Sequence, residues 1–257
     1  MSKRLLVTSD DFGMCHAVNA GITRAMLHGV VRATNFLVPC PWFSEALALA
    51  REHALPVGVH LCLTCDWDRL KWGPITREPS LCDAQGHLFQ SFEPLLAQAS
   101  DTQLLDELLA QVERVRSLGF RPTHLDSHML GSAMDDAGAL RVKAVILEVA
   151  RQTGLKYSYE TDEHGALRYF DAEVGLSGRD PQEVWRELEA LPPRGTYHLI
   201  GHAAEPSAEL DALCSPEHPS RSWAAAYRTT DIAFFTSSSV KARLNALGFE
   251  LVSHADL

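Results

Sequence analysis

Short apolar runs alternate with longer amphipathic stretches along almost the whole chain. Residues 5–8, 34–38, 57–63, 123–127, 156–159, 196–200, 232–236 and 249–252 read as strands, being brief, apolar and bounded by turn residues. Residues 17–27, 43–52, 104–118, 140–151, 180–190 and 240–247 read as helices. In the third of these, Leu104, Leu108, Val112 and Val115 share one face, and Gly119 follows as the helix stop. Asp180-Pro181 opens the fifth, with Asp as N-cap and Pro in the first turn. Seven or eight strand–helix steps in 257 residues predict an α/β fold with a single (β/α) barrel, TIM-like, distorted or of 7–8 strands. A doubly wound open sheet is the alternative, but no glycine-rich phosphate loop sits in a strand-to-helix turn. The length suits one domain over residues 1–257.

Two regions interrupt the alternation. Residues 65–92 hold Trp67 and Trp72, and residues 203–228 hold Trp223 and three prolines. Long connections after strands overhang the active face of a barrel. Trp67, Trp72 and Trp223 are therefore candidate sugar-stacking residues, with loop packing as the plainer alternative, and Arg228 is grouped with them as a substrate contact.

Composition narrows the function. A formal charge of −10, from 33 acidic and 23 basic residues with no basic stripe, argues against nucleic acid as a partner. No apolar run approaches the ~20 residues of a membrane span, and nothing resembles a signal peptide, so a cytoplasmic protein is expected. The six cysteines read as small buried residues; Cys62-Leu-Thr-Cys65 has no second pair at zinc-site spacing.

The chemistry gathers at strand ends. Asp10 and Asp11 follow an apolar strand, and two adjacent carboxylates in a half-buried turn call for a cation or strong donors; a helix N-cap would explain only one. In His124-Leu-Asp126-Ser-His128, residues 124, 126 and 128 alternate onto one strand face. His128 is the better ligand candidate, Asp126 can orient a neighbouring imidazole, and His124 reads as structural or supporting. His60 ends another strand. A lone strand histidine is usually a packed core residue, but the other candidates turn the balance towards a ligand. His198 and His202 share one face of a late strand, and His202 is either a general acid or a packed residue.

With these segments placed, the chain resembles the YdjC-like carbohydrate deacetylases, the ChbG/HpnK family. The resemblance rests on Ser9-Asp10-Asp11-Phe12-Gly13 with Asn19 and Gly21-Ile22, on Gly58-Val59-His60-Leu61, and on Pro122-Thr123-His124-Leu125-Asp126-Ser127-His128. It extends to Gly201-His202, Arg228-x-x-Asp231 and Thr236-Ser237. It implies a TIM-like barrel and removal of an N-acetyl group from an amino sugar or short N-acetylated saccharide. One divalent metal ion, Mg or Zn, would be held by Asp11, His60 and His128, with Asp10 as general base and His202 as candidate acid. Met129-Leu130-Gly131 and His202-Ala203 depart from the pattern of the chitooligosaccharide-type members, so the sugar is left open. A small carbohydrate is the expected partner, and a homodimer is left open. The rivals are another metal-dependent hydrolase, such as an amidohydrolase or phosphoesterase, and an inactive sugar-binding barrel.

Overall fold

Strands buried on both faces need no alternation of polar and apolar residues, and the first strand shows this: Leu5, Leu6 and Val7 are all fully buried. The computed structural model describes residues 2–130, 136–213 and 223–257. Among these residues seven parallel strands form one sheet: β1 (Lys3–Phe12), β2 (Ala33–Phe36), β3 (Val57–Leu61), β4 (Leu125–Ser127), β5 (Ala172–Gly175), β6 (Gly195–Gly201) and β7 (Phe249–Val252). Their order is β4-β3-β2-β1-β6-β5, with β7 beside the first half of β1. The connecting helices include α1 (His16–His28), α2 (Phe43–Glu52), α3 (Phe92–Gln98), α4 (Asp101–Ser117), α5 (Asp136–Thr153), α6 (Pro181–Ala190), α7 (Ala208–Ala212), α8 (Trp223–Thr236) and α9 (Ser238–Ala246).

The sheet curls into a half-barrel. Among the described residues its outer strands, β4 and β5, do not pair with each other. The expected strand at 156–159 contributes one parallel bridge, Tyr157 to Leu125, before the chain turns back at Thr161 and Leu167. The curl nevertheless brings Asp126 of β4 and Glu173 of β5 to the same cleft.

One expected element is corrected. Residues 232–236 are not a strand but the last turns of α8. Arg228, Asp231, Ile232 and Phe235 are buried at helical spacing, so the short apolar run is the inner stripe of a helix. The pattern also passed over β5, whose residues 172–175 include Glu173 and are only partly buried.

The segment after β3 is tied down by α4. Glu107, fully buried, accepts from the backbone N–H groups of Ile75 at 3.0 Å and Thr76 at 2.9 Å. Gln111 clasps Cys62, accepting from its N–H at 3.0 Å and donating to its carbonyl at 2.7 Å. The loop carrying Asp66 and Trp72 is thus anchored on a helix. No helix among the described residues is long and apolar enough to cross a membrane.

Candidate active site

Neighbouring residues in a strand point to opposite faces, so Asp10 and Asp11 should diverge. They do not, because Asp11 takes a left-handed backbone, φ 75°, and the β1–β2 register slips between Ser9 and Phe12. Both carboxylates therefore line a cleft of about 400 Å³ at the carboxyl ends of the strands. That volume falls in the ~300–1,000 Å³ range of small-molecule sites. His60, Asp126, His128 and His202 line it too.

Asp11, His60 and His128 converge. Asp11 Oδ1 lies 3.5 Å from His60 Nε2 and 3.3 Å from His128 Nδ1, all three side chains being buried. Asp11 Oδ1 has no hydrogen bond. Donor atoms sharing one cation at ~2.0–2.2 Å stand about 3.0–3.5 Å apart, so one carboxylate and two imidazoles at these separations fit a divalent metal. Behind the donors, His128 Nε2 meets Asp66 Oδ1 at 2.8 Å, and Asp126 Oδ1 lies 3.6 Å from His60 Nδ1. Each imidazole thus turns one nitrogen to Asp11 and the other to a carboxylate that sets its orientation. Asp126 stands where the strand alternation put it. Asp66 was missed; the only signal for it was an acidic residue close behind the His60 strand.

The charges follow from this packing. Burial opposes protonation of His60 and His128, but the surrounding carboxylates prevail: His60 is raised by Asp10, Asp126 and Asp11, and His128 is raised to about 10 by Asp66 and Asp11. Burial raises Asp10 to about 7, helped by the charges of Asp126 and Asp11, while Asn35 donates to its Oδ1 at 2.9 Å. Asp11 stays well below the usual carboxylate range: burial would raise it, but Arg228 and His128 outweigh that. Arg228, on α8, pairs with Asp11 Oδ2 at 2.5 Å, both side chains 2% exposed. Removing one partner of a pair so buried typically costs about 3–5 kcal/mol. Arg228 lines the cleft and donates to the Asp11 carboxylate.

His202 sits at the end of β6. Asp231 Oδ2 accepts from its backbone N–H at 2.7 Å and also from Ser177 Oγ. Ser177 Oγ is 2.8 Å from His202 Nδ1. Since the single hydroxyl proton goes to Asp231, Nδ1 carries the imidazole proton and Nε2 is the free basic atom. Burial, with Arg228 and the other histidines, lowers His202 to about 4. Gly201 permits this approach, since a Cβ there would lie 2.9 Å from Asp231 Oδ2.

Two expected residues lie elsewhere. Trp72 is only 3% exposed; it donates its indole N–H to Thr64 O at 3.1 Å and packs its ring against His128, outside the cleft lining. An indole that closes off a loop in this way has no face for a sugar. His124 lies two strand positions before Asp126 and stacks on His254, the ring centroids 3.4 Å apart. It fits there because residue 58 is glycine, where a Cβ would come within 2.5 Å of the ring. The side chain of Trp223 lies outside the described residues. Cys62 is buried, with its Sγ 3.0 Å from Thr64 O, and takes no part in the cleft.

The family model for YdjC-like proteins matches residues 4–246. A chitooligosaccharide deacetylase of Yersinia enterocolitica is 30% identical over 275 residues, covering all of both chains. One from Yersinia pseudotuberculosis is 30% identical over 270 residues, again covering both completely. A crystal structure from Enterococcus faecalis V583, provisionally titled a cellobiose-phosphate cleavage protein, superposes with a TM-score of 0.79 at 25% identity, covering 100% of this chain and 99% of that one. A Streptococcus mutans CE4 esterase shares the fold at a TM-score of 0.51 and 10% identity, over 98% of this chain and 86% of that one.

Proposed function

The chain belongs to the family of YdjC-like proteins, and we propose from this that it is a metal-dependent carbohydrate deacetylase, hydrolysing the N-acetyl group of an amino sugar or short N-acetylated saccharide. The observation that carries the reading is the convergence of Asp11, His60 and His128, with Asp10 and His202 lining the same cleft. The reading takes residues 1–257 as one cytoplasmic domain, its site at the mouth of a TIM-like (β/α) barrel. The curated relatives of full-length match, named chitooligosaccharide deacetylases, support the substrate class.

Asp11, His60 and His128 would hold the metal. One carboxylate and two imidazoles suit zinc, and the family likeness points equally to magnesium. When bound, such an ion supplies a water of lowered pKa and polarises the acetyl carbonyl. Asp10, fixed by Asn35, is the general base that takes a proton from the attacking water. Arg228 keeps Asp11 ionised and oriented. His202 is neutral at rest, its Nδ1 proton committed to Ser177, so its Nε2 is the atom that takes up the proton Asp10 has drawn from the water and passes it to the leaving amine. Without that proton the amine is a poor leaving group.

The test is amine release from N-acetylated mono- and disaccharides, with and without a chelator. The reading expects release that stops on chelation and returns with zinc or magnesium. Release unaffected by chelation would remove the metal, and hydrolysis of a phosphoester in its place would favour the rival hydrolase class.

A further inference from the structure

One wall of the cleft has no part in the hydrolytic scheme. It is formed by Glu173 on β5 and Tyr159 in the segment before it, beside Ile200 of β6. Glu173 Oε2 lies 2.9 Å from His198 Nδ1, and His198 Nε2 lies 2.8 Å from Thr8 Oγ1. A carboxylate only accepts, so His198 Nδ1 donates to Glu173, while Nε2 shares a hydrogen bond with the Thr8 hydroxyl. His198 is 1% exposed and stacks on Phe170, ring centroids 4.7 Å apart at 17°. Its ring is thereby held at both nitrogens and on one face. Tyr159 lines the cleft on the same side as this carboxylate.

The result is a carboxylate clamped from below whose side chain is still 32% exposed towards the cleft. An ionised carboxylate offers about four acceptor positions. His198 takes one, leaving acceptor capacity in the cleft wall that Tyr159 and the apolar Ile200 also line. Glu173 belongs to neither of the groups that could hold a metal among the described residues, namely Asp11-His60-His128 and Asp10-His60-Asp126. An immobilised acceptor flanked by apolar surface, within the cleft that also holds Asp10 and His202, is suited to an O–H donor of a bound molecule rather than to an ion.

We propose that Glu173 accepts a hydrogen bond from a ring hydroxyl of the sugar substrate. It is a specificity-determining residue, and His198 is the positioning residue that holds it. The inference rests on the carbohydrate reading above and names how that site distinguishes one sugar from another. A hydrogen bond made alike in the ground and transition states affects KM and leaves kcat nearly unchanged.

The probes are N,N′-diacetylchitobiose and a set of its ring-deoxy analogues. Each is titrated calorimetrically against the metal-loaded protein and also assayed for amine release. Glu173→Ala is expected to weaken binding and raise KM about 10- to 100-fold, the range for a hydrogen bond to a charged group, with kcat within about threefold of wild type. One deoxy analogue should lose the same factor with the wild type and nothing further with the variant. His198→Gln, which keeps an N–H donor, should retain more affinity than His198→Leu. Equal affinity and KM in wild type and Glu173→Ala overturn the proposal. So does a fall in kcat at constant KM, or a deoxy penalty that the variant does not remove. Binding without amine release by the wild type sinks the deacetylase reading but leaves the affinity comparison to judge Glu173, whereas a wild type that binds none of these saccharides overturns both.

Discussion

Two groups of histidines lie within the same curled sheet and behave in opposite ways. At the carboxyl ends of the strands, His60 and His128 face Asp11 with one nitrogen and Asp126 or Asp66 with the other, and both are raised. Four residues before His128 on the chain, His124 lies flat against His254, and among the described residues no carboxylate is hydrogen-bonded to either ring. Burial and the neighbouring histidines push His124 well below its ordinary value, and burial, then His198, takes His254 to about 3. Both groups are buried, so burial does not separate them. The arrangement of acids does. Imidazoles enclosed by carboxylates hold protons that a divalent cation can replace, while imidazoles enclosed by imidazoles stay neutral and pack as flat rings.

The sharpest way to break this comparison is at Asp10, the carboxylate beside His60 that the proposed ligand set leaves out. Asp10→Asn should lower kcat at least ~10²-fold while metal binding, followed by calorimetry, stays nearly intact. Loss of the metal would instead make Asp10 a ligand, and an unchanged rate would take it out of the chemistry. A smaller effect is expected from the carboxylate behind His128. Asp66→Asn should weaken metal affinity by about 10- to 100-fold, the usual cost of losing an orienting partner. An affinity equal to wild type would mean that Asp66 merely packs.

The third test addresses the stacked pair, through stability against pH. An unfolded histidine titrates near its ordinary 6.5, but folded His254 does so only at about 3. The unfolded chain therefore takes up protons first. The stability owed to a neutral His254 is complete above pH 6.5 and is lost progressively as pH falls towards 3, at about 1.4 kcal/mol per pH unit. His254→Phe keeps a ring in the stack and removes this dependence. Between pH 6 and 4.5, the slope of its unfolding free energy in urea should be shallower than wild type by that amount. Equal slopes would show that the pair is protonated in the folded protein.

How much of this was legible in the sequence depended on whether position along a strand decides the answer. Alternation on β4 puts Asp126 on one face with His128, and Asp126 lies 3.6 Å from His60 Nδ1; apolar runs located β1, β2, β3, β6 and β7 to within a few residues. Alternation alone would have separated Asp10 from Asp11, and only the left-handed turn at Asp11 explains how both reach the cleft. Where long-range packing decides, the pattern was silent. Asp66 and Trp72 take their places because Glu107 and Gln111 anchor the loop, a contact 31 or more residues away in sequence. Residues 232–236 carried the same apolar signal as a strand, and only the burial of Asp231 and Arg228, one and two turns before Phe235, marks them as helix. Glu173 escaped notice because β5 is only partly buried and lacks an apolar run.

The central claim is that Asp11, His60 and His128 share one cation. Crystals grown with zinc and measured on both sides of its absorption edge test this directly. The account predicts one anomalous peak about 2.0–2.2 Å from Asp11 Oδ1, His60 Nε2 and His128 Nδ1 together. A peak instead between Asp10, His60 and Asp126, or none within bonding distance of Asp11, would contradict it.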